Sequence, residues 1–90
     1  MNPPPQAPDP SEVTSARITE WRDSGYPYKL VAAEIAEWAL KHERGTPVPS
    51  NEHFAANLSV TPSAATWKRA RTFLAQLGVI RLNSGPDKVA

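Results

Sequence analysis

The chain has 90 residues, 40% of them hydrophobic, with 10 prolines, 4 glycines and no cysteine. That length allows one small domain, excluding a TIM barrel, a complete Rossmann domain or a two-domain enzyme. Without cysteine there is no disulfide framework and no thiolate zinc site. The net charge of +1 hides an uneven distribution. Residues 1–60 carry five basic and eight acidic side chains, a balance of −3. Residues 61–90 carry Lys68, Arg69, Arg71, Arg81 and Lys88 against Asp87 alone, a balance of +4. Charge asymmetry of this kind points to an anionic partner.

Residues 1–10, MNPPPQAPDP, hold five of the prolines. Proline removes backbone donors and fixes φ, so this stretch is predicted to be a disordered proline-rich tail, with a polyproline ligand as the minor reading. Residues 11–25 are predicted as an N-terminal helix ending at Ser24-Gly25. Asp9 or Ser11 would cap it, Pro10 would suit its first turn, and Val13, Ala16, Ile18 and Trp21 form its apolar stripe. Tyr26-Pro27-Tyr28 reads as an extended link. No apolar run is long enough to span a bilayer, and no basic start with an apolar stretch marks a secretory signal. The expectation is a soluble, cytoplasmic chain with no membrane partner, associated with the nucleoid when DNA-bound.

Residues 26–90 form the predicted main domain. Lys29 to about Arg44 is a strongly periodic helix, with Val31, Ile35, Trp38 and His42 on one face, Ala32, Ala36 and Ala39 alongside, and Glu34, Glu37 and Lys41 opposite. Gly45 stops it, and Thr46-Pro47-Val48-Pro49 is an extended connector. Ser50 is the expected cap of a short helix to about Asn57 that buries Phe54, Ala55 and Leu58. After a turn at Ser59-Val60, Thr61 caps a fourth helix with Pro62 at its first position, running to Leu77 before Gly78. Val79 to Leu82, the Asn83-Ser84-Gly85-Pro86 turn and Lys88-Val89 make a β-hairpin. The fold class is therefore mostly α with a small β-hairpin: a winged helix-turn-helix with an additional N-terminal helix.

Two short helices joined by a turn, the second basic and followed by a hairpin, suit duplex DNA. A helix fits the major groove, and its first turns face the base edges. On the fourth helix Trp67, Ala70, Leu74 and Leu77 share the face toward the core, with Phe73 beside them. Thr61, Ala64, Ala65, Lys68 and Thr72 lie opposite, flanked by Arg69 and Arg71. Small and hydroxylated residues permit close approach to bases, and the cations suit phosphates. A solvated basic face is the plain alternative.

Residues 28–89 resemble the DNA-binding domain of GntR-type transcriptional regulators. Gly45-Thr46-Pro47-Val48-Pro49-Ser50 is similar to the family's G-x-x-L-P-S entry to its second helix. Phe54-Ala55 and Leu58-Ser59-Val60-Thr61 resemble L-A…L-G-V-S, and Thr66-Trp67-Lys68 with Ala70 resembles T-V-R-x-A. Leu74, Gly78-Val79-Ile80, Gly85 and Val89 match the helix end and the wing, and Tyr28, Val31 and Ile35 match the first family helix. By this resemblance Thr61 stands for the serine that opens the recognition helix. Thr66 and Lys68 stand for the threonine and arginine that contact DNA, and Gly85 stands for the wing glycine. The interval from Val60 to Gly78 is two residues longer than the family's, and the link to Gly45 about two shorter. The chain ends where the family's effector-binding domain would begin, which implies DNA binding without ligand sensing.

Taken together, the expected DNA-binding residues are Ser50, Thr61, Ser63, Ala64, Ala65, Thr66 and Lys68, then Arg69, Arg71, Thr72, Arg81, Gly85 and Lys88. The expected function is sequence-specific binding of double-stranded DNA by a transcriptional repressor or other regulator. Two alternatives stay open: a winged-helix module for a protein partner, and an architectural factor in plasmid maintenance or recombination. A homodimer would double a short footprint. Trp38 and Trp67 are predicted core residues, whereas Trp21 either covers the core or forms that dimer contact. His42 and His53 show no metal spacing, and no nucleophile or phosphate loop is readable, so neither an enzyme nor a cofactor is expected.

Overall fold

A computed structural model of the chain describes residues 13–90. The predicted tail, and the caps expected at Asp9 and Ser11, lie outside the described residues. Four helices and one hairpin follow in order: α1 (Ser15–Asp23), α2 (Pro27–Ala39), α3 (Asn51–Ala55), α4 (Ala64–Gln76), β1 (Ile80–Arg81) and β2 (Lys88–Val89). The described chain is thus mostly helical with a small antiparallel hairpin, an arrangement compatible with a winged helix. Among these residues no helix is long and apolar enough to cross a membrane.

The first helix begins later than its sequence suggests, because Thr14 is the cap and accepts from the Arg17 N–H. Its inward face is Ile18 and Trp21, with Val13 half-buried, whereas Ala16 is exposed. The Trp21 ring lies 5.2 Å from Phe73 in an edge-on arrangement, at 70°. Trp21 is only 4% exposed, so it belongs to the core and has little surface left for a dimer contact. Arg22 fastens the helix to α2 by bonding both Glu34 and Glu37. Those carboxylates therefore face α1. Glu34 foremost, with Glu37, holds the Arg22 guanidinium pKa above its ordinary value against partial desolvation.

Pro27 is the first residue of α2, not part of an extended link. A residue with no N–H and φ fixed near the helical value is compatible with that position, where the donor would have no intrahelical acceptor. The helix ends at Ala39 and leaves Lys41 to Arg44 in turns before Gly45, whose φ is +84°. His42 is consequently exposed, stacked on Trp38 with ring centroids 3.9 Å apart. Val31, Ala32, Ala33, Ile35, Ala36 and Ala39 are all buried. This wide arc, rich in alanine, lets α1 and α4 pack closely on two sides of α2.

α3 buries Phe54 and exposes Ala55, and Leu58 is half-buried behind it. The connection from α3 to α4 runs to Ser63, which caps α4 by accepting from the Thr66 N–H. Thr61 lies before the cap, exposed, and Pro62 is not the first helical residue. Ser63→Ala is therefore expected to cost about 1 kcal/mol in chemical denaturation, and Thr61→Ala less than about 0.5 kcal/mol. The reverse order would return the cap to Thr61.

The hairpin pairs Ile80 with Val89 and Arg81 with Lys88. Leu82, predicted as strand, is 49% exposed beyond the pairing. The Thr46–Pro49 connector is more than a link, because Pro47 forms an antiparallel bridge to Lys88. Val89 donates to Thr46, Gly45 donates to Val89, and Val48 donates to the Asp87 carbonyl. These bonds place the hairpin beside the start of α3. Ile80, Val89 and Val48 point inward and close the core under α4.

Candidate nucleic-acid interface

The candidate interface is built on the outer face of α4. Trp67, Ala70 and Leu74 bury the opposite face, 7%, 0% and 0% exposed. At 100° per residue this leaves Ala65, Lys68, Thr72 and Gln76 outward, and all four are exposed. Leu77, predicted on the core face, is half-buried and serves as the C-cap residue before Gly78 at φ +76°. Ala64 is exposed in the first turn. Ser63 and Thr66 have their hydroxyls 3.0 Å apart, so both take part in the cap.

The flanks of this face differ. Arg69 lies over the Tyr28 ring, 4.1 Å from its centroid, and Tyr28 meets Phe73 edge-on at 5.7 Å. Tyr28, Lys68, Arg69, Thr72 and Phe73 line a shallow groove of about 500 Å³. Tyr28 and Arg69 come from different helices, and no sequence spacing connects them. Arg71, on the other flank, is turned into the protein. It donates to Asp87 Oδ2 at 3.0 Å, Asn51 Oδ1 at 2.8 Å and the Pro49 carbonyl at 3.3 Å. Its side chain is 17% exposed. The guanidinium of Arg71, expected to meet a phosphate, is thus engaged by three acceptors inside the chain. The available signal was Asp87, the lone acid in the basic third of the chain.

The other cations of that third remain outward. Lys68, Arg69, Arg81 and Lys88 are exposed and form no ion pair among the described residues. Arg81 and Lys88 sit directly opposite each other across the hairpin, on its outer side. Like charges in that relation repel. In the scaffold, Arg22 is paired with Glu34 and Glu37 and Lys41 with Glu37, while Arg44 is exposed without an ion pair among the described residues.

The remaining expected residues flank the hairpin and α3. Ser50 precedes α3 but makes no side-chain capping bond. Gly85 is exposed, has no positive φ, and a Cβ built on it meets nothing within 4 Å. Nothing inside the described chain requires glycine there. His53 is exposed beside Phe54, and His42 bonds the Trp38 carbonyl through Nδ1 at 2.7 Å. Comparison with protein-family models, curated proteins and solved structures finds no match to the chain.

Proposed function

We propose that the chain is a winged helix-turn-helix that binds double-stranded DNA, in the manner its sequence resemblance to GntR-type regulators implies. Lys68, Arg69, Arg81 and Lys88 carry the reading. They are exposed cations without an ion pair among the described residues, and they are gathered on the outward face of α4 and opposite each other across the hairpin. A cation pair opposed across two strands costs stability unless an outside anion relieves it. The regular negative charge of duplex DNA supplies such an anion on both α4 and the hairpin.

In this docking α4 enters the major groove. Ala64, Ala65 and Thr72 offer small surfaces to base edges, Lys68 and Arg69 meet phosphates, and the hairpin follows the flanking backbone. Gly85 fits the same picture, because a missing side chain permits close approach from outside. Occupancy of the duplex would regulate by exclusion, and a second copy on an adjacent half-site would supply affinity that one small footprint lacks.

Fluorescence anisotropy with a labelled random duplex at low salt tests this reading. Binding is expected at about micromolar protein, with affinity falling steeply as salt rises. Lys68→Ala and Arg81→Ala are each expected to weaken it and to flatten the salt dependence by about one unit. No binding of the unmodified protein at that concentration would sink the proposal in favour of a protein-interaction module.

A further inference from the structure

We propose that Arg71 is a positioning residue, which with Asp87 fixes the hairpin against α4 so that their two sets of cations meet a single duplex. The inference rests on the duplex-binding reading and concerns how that surface is assembled. Arg71 joins three separate parts of the chain. Its guanidinium reaches Asp87 before β2, Asn51 at the first turn of α3, and the carbonyl of Pro49 in the connector. Asp87 divides its two oxygens. Oδ2 accepts from Arg71, and Oδ1 accepts from the backbone N–H of Asn83 at 3.3 Å, across the hairpin turn. The turn is thereby tied through one carboxylate to the middle of α4.

The surroundings make this pair a joint more than a surface ion pair. The two side chains are 17% and 13% exposed, so solvent screens them only in part. They line a recess together with Ser50 and Gly85. These two expected DNA contacts come from different segments and are brought to one recess. The connector's backbone bonds hold β2, but β1 and β2 pair at only two positions, which leaves the tip between them with little strand pairing to orient it. Arg71 supplies planar donors to several acceptors at once, which a lysine ammonium cannot reproduce in a fixed fork.

Charge and position predict opposite results for one variant. Asp87→Asn removes a negative charge near the duplex. If only charge mattered, it would tighten binding while Arg71→Ala weakened it. Positioning predicts that both variants weaken duplex binding by about tenfold, the size of a coupling within one hydrogen-bonded network. Both should also lower the backbone NMR order parameters of residues 83–86 in the unbound protein. Binding by Asp87→Asn as tight as, or tighter than, the unmodified protein would overturn the proposal, as would unchanged order parameters in both variants. Melting curves establish that each variant is folded at the titration temperature. Asp87→Asn, nearly isosteric, keeps the test decisive if Arg71→Ala is unfolded. If the unmodified protein binds no duplex, the docking reading fails, while the order parameters still report whether Arg71 and Asp87 hold the hairpin.

Discussion

Replacing Trp21 by alanine is expected to cost about 3–5 kcal/mol of folding free energy, the range for removing a buried tryptophan. A domain of this size has only about 5–13 kcal/mol in total, so a large share of its margin would be lost. The melting temperature should fall by roughly 12–40 °C, at about 4–8 °C per kcal/mol. The reason lies in what Trp21 touches. It is 4% exposed and edge-on to Phe73 of α4, which Tyr28 of α2 also meets edge-on. Phe73 follows Thr72 on the outward face, so α1 buttresses the helix proposed to enter the groove. Circular dichroism melts at several protein concentrations provide the check. A core role gives a large fall that is independent of concentration. A drop of only a few degrees would make α1 an appendage, and a strongly concentration-dependent midpoint would return Trp21 to an interface between copies.

The parts of this architecture legible in the sequence are those set by local pattern. Alternation of apolar and polar residues located α2 and α4, because a buried face must recur every three or four positions. Boundaries were less legible where several residues qualify for one role. Thr61 and Ser63 both qualify as the cap of α4, and the chain uses the later one, Ser63, while α1 is capped by Thr14, a residue not among its expected caps. Pro27 is compatible with a link and with a helix start, and the packing of α2 on both neighbours favours the helix. Long-range partners left no local trace. Arg71 and Asp87 are 16 positions apart, and Arg22 reaches Glu34 across 12. The bridge from Pro47 to Lys88 was hidden because prolines on either side of Val48 read as an unpaired connector. Of the cations expected to meet DNA, Arg71 is bonded within the chain, while Lys68, Arg69, Arg81 and Lys88 are exposed.

Reversing two charges on α4, Lys68→Glu with Arg69→Glu, is expected to weaken duplex binding at least about 100-fold at 0.1 M salt. Each cation–phosphate contact contributes about one unit to the slope of log affinity against log salt, so two contacts are worth about two decades between 0.1 and 1 M. Glutamates add repulsion to that loss. The fold itself should survive, since both side chains are exposed and neither is ion-paired among the described residues. Arg69 does give up its position over Tyr28, a contact worth about 0.5–1 kcal/mol at an exposed site. A fall of a few degrees in melting temperature is therefore expected alongside the binding loss. Salt separates the two effects. If the cations meet phosphates, the difference between variant and unmodified protein shrinks steadily as salt rises toward 1 M. A difference that stays constant with salt would assign the loss to altered packing around Tyr28 and Phe73. Equal affinity of the two proteins at 0.1 M would remove this face of α4 from the duplex and leave Arg81 and Lys88 of the hairpin as the cations to test.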